Sequence, residues 1–173
     1  MPRIACFPPL AGNEKLWDYL RWKSYRSERY KLLYIATPKA ACTTLAWWFA
    51  DIEGFSEAVR QFHESGETAP ELVVHDAFHR IAPAVTGLLR CDLEEALVSD
   101  AYYRFSVIRN PYQRLFSAWQ SKLLLREPLQ SAPYTNCEFF NLPIRGAGDL
   151  ALAFEGFLEH LAINEAPIFR DPH

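Results

Sequence analysis

The feature that most constrains this chain is a short apolar run, KLLYIA at residues 31 to 36. It stops at Thr37-Pro38 and is followed within a few residues by the helix-like stretch TTLAWWFADI. A run of that length bounded by a turn signal reads as a buried strand. The residue before a proline is biased to extended backbone, so the strand ends there. Thr43 or Thr44 can start the helix that follows, with Trp47, Trp48 and Phe49 packed inward. The alternation continues along the chain. Asn13 can cap a helix to about Arg29, in which Leu16, Tyr19, Leu20 and Lys23 recur at helical spacing beside Trp17 and Trp22. Residues 55 to 65 read as another helix, ELVVH (71 to 75) as a second strand, and 77 to 99 as mostly helical. YYRFSVI (102 to 108) reads as a third strand, and PYQRLFSAWQSKLLL as a helix with Pro111 in its first turn. Residues 128 to 143 look irregular, and Asp149 opens a last amphipathic helix to about Ala162. Strands alternating with helices predict an α/β fold, a central mainly parallel sheet flanked by helices.

A chain of 173 residues, half of them apolar, has the material for one core, so residues 1–173 are expected to form a single domain. No stretch approaches the ~18 uninterrupted apolar residues of a membrane span, and the N-terminus MPRIACFPPL has neither a basic region nor a long apolar run. A soluble chain without a secretion signal is expected. Cys6, Cys42, Cys91 and Cys137 are dispersed with no C-x-x-C pair, which fits neither a disulfide framework nor a zinc knuckle. The expectation from these cysteines is a reduced, cytoplasmic compartment.

The net charge of -3 averages over an uneven distribution. Residues 15 to 50 carry seven Lys/Arg against two Asp/Glu, and residues 51 to 100 carry three against eleven. Residues 101 to 126 carry five basic side chains and no acidic one, and residues 127 to 173 carry two against seven. Basic character is thus confined to two blocks. Brought together they would make a local anion site; left apart they are solvated faces. A long nucleic acid is not expected as a partner, since phosphate-backbone binding usually goes with an overall basic excess.

Each basic block contains one candidate anion motif. The first is strand, TPKAACTT, helix. A loop entering a helix aims backbone N–H groups and the positive end of the helix dipole at whatever lies above it. Thr43 and Thr44 add hydroxyl donors there, and Lys39 adds a cation. The order is not the Walker pattern, because the lysine comes early, the threonine pair ends the loop, and the loop holds no glycine. The second is YYRFSVIRNPYQRLFSAWQSK, with Arg109 at the end of the third strand and Ser117 eight residues on, inside the following helix. A guanidinium and a hydroxyl so placed can serve one small anion, although Arg109 capping the helix and Ser117 filling space is the plainer alternative.

Together these segments resemble the two donor-binding elements of sulfotransferases. TPKAACTT resembles the 5′-phosphosulfate loop, and RNPYQRLFSAWQSK resembles the 3′-phosphate segment, roughly R-[DN]-P-x-x-R-x-x-S-x-[WYF], with Asn110 where many relatives have Asp. The Ala-Cys-Thr core of the loop is similar to the carbohydrate branch. The resemblance implies a three-layer, P-loop-like sheet and the donor 3′-phosphoadenosine 5′-phosphosulfate, with 3′,5′-adenosine bisphosphate as product. It implies that Lys39, Thr43 and Thr44 hold the 5′-phosphosulfate, with the N–H groups of Ala40, Ala41 and Cys42, and that Arg109 and Ser117 hold the 3′-phosphate. Arg114 and Trp119 fit the pattern as either nucleotide contacts or packing. The implied acceptor is a hydroxyl, at family level a sugar. The terminal FRDPH, residues 169 to 173, resembles the start of a D-x-H-W-x-P-Q-type segment, so a truncated chain, or one lacking the acceptor-side closing segment, is expected.

Sulfuryl transfer runs through a loose in-line transition state that builds charge on the bridging oxygen of the leaving phosphate, so a cation there lowers the barrier. Lys39 is the candidate. The acceptor must lose a proton to a base near neutrality. His75, at the end of the predicted ELVVH strand, would reach the sheet edge that carries the anion loops, and His79 is the second choice. His63 and His160 have no supporting context. The chemistry requires no metal, and no ligand-spaced cluster suggests one. Two other readings stay open: a P-loop kinase of a small molecule, with Asp76 of a Walker-B-like strand holding magnesium, and a non-catalytic nucleotide-binding relative. Oligomeric state is not legible.

Overall fold

In the computed structural model the described residues are 12–62, 72–125 and 134–163. They divide into two compact units, one ending at Ile108 and the other beginning at Arg109. FRDPH, Cys6 and His63 lie outside the described residues.

The first unit opens with α1, Glu14–Lys23, whose start is fixed by Asn13: its side chain accepts from the Leu16 N–H at 3.1 Å. The helix stops at Lys23, short of the expected Arg29, because the next four residues form β1, Ser24–Ser27. A strand there places Tyr25 in the core, stacked on Tyr34 with ring centroids 5.8 Å apart and tilted on Phe49 at 5.7 Å. β2, Leu32–Ile35, is the predicted buried strand. Leu33 and Tyr34 are both fully buried, one in each of two apolar clusters, so both faces of β2 are covered.

The helix after the loop is α2, Cys42–Ile52. Of its three consecutive aromatics only Phe49 is fully buried, while Trp48 remains 40% exposed. Successive helical residues point about 100° apart, so three in a row cannot share one face. α3, Ser56–Gln61, and α4, Val73–Ile81, complete the packing around α2.

α4 corrects the predicted second strand. Val73, Val74, Ala77, Phe78 and Ala82 are all buried while His75 is exposed. That apolar set continues at helical spacing well past the four or five residues a strand would use. A short apolar run viewed alone does not distinguish the two, and the downstream spacing decides. The expected long helix over 77 to 99 is interrupted where Ala82, before Pro83, leaves the helical region and Gly87 takes φ +72. It resumes as α5, Arg90–Val98.

β3, Tyr103–Phe105, is shorter than expected. The Ser106 hydroxyl donates to the Ile35 carbonyl at 2.8 Å, so a side chain takes over where the ladder would continue. β2 pairs with β1 antiparallel and with β3 parallel, in the order β1-β2-β3. This is an α/β unit, but the expected mainly parallel central sheet is not found among the described residues: one of its two pairings is antiparallel.

The second unit begins with α6, Pro111–Trp119, which runs on into a π-helical turn, Gln120–Leu124. Asn110 caps α6, its side chain accepting from the N–H groups of Tyr112 and Gln113 at 3.0 and 3.3 Å. α7, Glu138–Asn141, and α8, Ala147–Ile163, follow. Asp149 secures the start of α8 by accepting from the Arg145 N–H at 2.8 Å. Trp119, Leu123, Tyr134, Ala153 and Phe157 form the core.

Candidate functional site

The loop between β2 and α2 keeps its shape through backbone conformations that side-chain-bearing residues rarely adopt. The Ala40 N–H donates to the Thr37 carbonyl at 3.1 Å, and both Lys39 and Ala41 have φ +60. Left-handed backbone costs a non-glycine residue about 1–2 kcal/mol, so this turn stores strain that the surrounding packing must hold. Ala40 and Pro38 are buried and anchor it, and the Thr37 and Ser106 hydroxyls meet at 3.1 Å, tying the loop to the end of β3. Ala41 occupies the N-cap position of α2, and no side chain caps the helix. The first-turn N–H groups, those of Cys42 and its two threonine neighbours, are the groups an anion meets at a helix start.

Tyr25, Tyr34, Phe49 and Phe105 stack into an aromatic cluster against which Cys42, at the start of α2, packs. Burial, with Cys42 and Tyr19 nearby, pushes the Tyr34 phenol up to about 12, and burial raises Tyr25 as well.

Of the two candidate bases the structure brings His75 to this loop. Its Nε2 lies 2.9 Å from Thr43 Oγ1. His75 reaches the loop from the first turn of a helix, not from a strand end. His79, one turn later, packs edge-to-face on Trp22, with ring centroids 5.4 Å apart. The helical state of residues 73–81 also corrects the Walker-B reading, since Asp76 lies in α4 and does not end a strand.

Lys39 is half-buried on the loop. Other cations of the first basic block are engaged in holding the fold. Arg26 pairs with Glu28 at 2.5 Å and Asp92 at 2.9 Å and donates to the Tyr102 hydroxyl at 2.8 Å, while Lys31 pairs with Glu28. Lys31, Tyr102 and Arg26 hold the Glu28 carboxyl down at about 2.

In the second unit Arg109 is exposed immediately before the Asn110 cap, and Ser117 is half-buried on α6. The helix cap is therefore Asn110, and the plainer role considered for Arg109 falls to its neighbour. The Asn-Pro pair at a helix start was the sequence signal for it. Trp119 resolves to packing, at 2% exposure.

Carbohydrate sulfotransferase 10 of Xenopus laevis is 28% identical over 98 residues, covering 57% of this chain and 25% of that protein. The Danio rerio protein of the same name is 26% identical over 130 residues, 70% of this chain and 33% of that protein, and the Homo sapiens one 26% over 97 residues, 56% and 25%. The chain thus spans about a quarter to a third of the length of these relatives. No solved structure gives a significant match. The expected cytoplasmic compartment is overturned, because these relatives are Golgi-type enzymes. Dispersed cysteines do not distinguish compartments: a disulfide needs two of them in reach, and Cys42, Cys91 and Cys137 are unpaired. Among the described residues no helix is long and apolar enough to cross a membrane. A model of the sulfotransferase family matches residues 22–164, which takes in both candidate anion motifs, and the chain belongs to that family.

Proposed function

We propose that this chain transfers a sulfuryl group from 3′-phosphoadenosine 5′-phosphosulfate to a hydroxyl of a carbohydrate. The observation that carries the reading is the strained loop into the N-terminus of α2, which has no side-chain cap and has Thr43 and His75 in hydrogen-bond contact beside it. The relatives' names support a carbohydrate acceptor.

In this reading the N–H groups of Ala40, Ala41 and Cys42 and the hydroxyls of Thr43 and Thr44 hold the 5′-phosphosulfate. Arg109 and Ser117 hold the 3′-phosphate. Lys39 meets the charge that grows on the bridging oxygen as the sulfur–oxygen bond to the phosphate breaks and the bond to the acceptor oxygen forms. His75 takes the acceptor's proton, with His79 as the second candidate. The products are a sulfated hydroxyl and 3′,5′-adenosine bisphosphate.

A thermal-shift series tests the donor assignment. A ligand at a hundred times its Kd stabilises the folded state by about 2.7 kcal/mol. The bisphosphate is expected to raise Tm well above AMP or ATP with magnesium, and Arg109→Ala to erase most of the bisphosphate's advantage over AMP. A larger shift with ATP and magnesium would overturn the assignment in favour of a kinase.

A further inference from the structure

Single aromatic side chains on a protein surface need no special account. Trp22 differs from them, because it is 50% exposed and yet held in place by three neighbours. The His79 ring meets it edge-to-face, with centroids 5.4 Å apart. The backbone at Gly87 passes close by: a Cβ there would lie 3.4 Å from the indole and 3.5 Å from His79 Cβ, and its φ of +72 suits glycine. The Arg21 guanidinium stands 5.4 Å from the ring centroid. An indole so confined keeps its exposed surface in one position and has little rotamer freedom left to lose on binding.

The helix that carries Trp22 is tied to the candidate loop. The Tyr19 hydroxyl donates to the Ala36 carbonyl at 3.2 Å and the Ala36 N–H donates to the Lys23 carbonyl at 2.7 Å, immediately before Thr37. Tyr19 is itself 39% exposed and lies three residues before Trp22, on the same side of α1. On the other helix, His75 meets Thr43 at 2.9 Å, and His79 is one turn further along α4, about 6 Å at the helical rise. Tyr19 and Trp22 from α1, with His75 and His79 from α4, thus form a run of ring side chains that leads from the loop to Trp22.

A pyranose carries hydroxyls around its rim and C–H groups on its faces, so a fixed aromatic surface with polar groups at its edge suits it. Trp22 supplies the surface, and Arg21 supplies hydrogen-bond donors beside it. We propose that Trp22 is the platform of an acceptor subsite, which takes the sugar ring next to the one that is sulfated. This rests on the proposed function for the reaction and for the carbohydrate nature of the acceptor. The step from His75 to His79, about 6 Å, and the further 5.4 Å to Trp22 separate the platform from a ring whose hydroxyl faces His75. The acceptor is therefore an oligosaccharide, and Trp22 adds to its affinity without touching the reacting atoms.

The test reads the indole itself and requires no turnover. In nitrogen-15-labelled protein the Nε1–H resonance of Trp22 is identified among those of the five tryptophans by its loss in Trp22→Phe. Unsulfated chondroitin tetrasaccharide, an N-acetyllactosamine-repeat tetrasaccharide and N-acetylgalactosamine are titrated separately, with calorimetry reporting binding. The expected result is that at least one tetrasaccharide binds and moves that resonance, while the monosaccharide does not. Trp22→Ala should weaken the same tetrasaccharide about tenfold and Trp22→Phe less, and both variants should bind 3′,5′-adenosine bisphosphate as the wild type does. Tetrasaccharide binding with the Trp22 resonance unmoved would overturn the inference, and so would an equal shift with the monosaccharide or a failure of both tetrasaccharides to bind. A shift that follows protein concentration without any glycan would assign the indole to contact with a second copy and overturn it too. A tetrasaccharide that binds at Trp22 but receives no sulfate from the donor would leave the subsite standing and defeat the proposed reaction instead.

Discussion

Trp119 falls within the segment that resembles a nucleotide-binding motif, and the structure makes a quantitative statement about it. The indole is 2% exposed, with ring centroids 5.0 Å from Phe154 and 5.5 Å from Phe116. Burying an aromatic of this size removes ~150–250 Å² from water, which at ~25 cal/mol per Å² is about 4–6 kcal/mol. Truncations of buried aromatics to alanine cost ~3–5 kcal/mol. Trp119→Ala would therefore consume much of the ~5–15 kcal/mol that holds a typical domain together. Trp119→Phe keeps a ring against Phe154 and should cost about 1–2 kcal/mol, one or two buried methylene equivalents. Urea denaturation gives the stability, and titration of folded protein with 3′,5′-adenosine bisphosphate gives the affinity. The expected result for Trp119→Phe is lower stability with unchanged affinity. A variant of wild-type stability that has lost affinity would show that the indole contacts the nucleotide, and would refute the packing assignment.

Other expectations follow from particular contacts. In the proposed mechanism Lys39 acts on charge that grows during bond breaking, so Lys39→Ala should abolish turnover while leaving much of the bisphosphate affinity; unchanged turnover would end its assignment. Gly156→Ala should destabilise despite the ~1 kcal/mol that alanine gains in a helix, because the new Cβ would lie 2.9 Å from Phe139 Cβ, an atom held close to its backbone. Overpacking of that kind costs ~1–3 kcal/mol, and a raised Tm would show that α7 yields freely. At alkaline pH, Tyr34 titrates near 12 in the folded chain against an ordinary 10.0. The folded state then keeps a proton that the unfolded chain releases. Tyr34's contribution is intact below pH 10 and declines by ~1.4 kcal/mol per pH unit until the folded phenol ionises. Tyr34→Phe should flatten that decline in a pH series of urea midpoints, and an unchanged slope would contradict the burial argument.

The local signals in this chain were strong where backbone chemistry acts alone. Asn13 caps α1, Pro111 opens α6, β2 stops short of Thr37-Pro38, and the TPKAACTT loop leads into α2, whereas the α6 cap considered for Arg109 falls to Asn110. The candidate loop residues were legible for the same reason: a lysine, two threonines and a helix start are contiguous in sequence. Tertiary packing decided the rest. Tyr25 belongs to a strand because its ring fits among Tyr34, Phe49 and Phe78, a set spread over more than fifty residues that no local window contains. Residues 73–75 belong to a helix because Ala77, Phe78 and Ala82 bury alongside them. The sequence places His75 at the end of a strand, whereas the structure brings it to Thr43 by α4 packing on α2. The sequence by itself determined the residues of the loop and the breaks on either side of it. Only the tertiary structure determined which histidine meets that loop, because a 2.9 Å contact across thirty-two residues depends on how two helices pack.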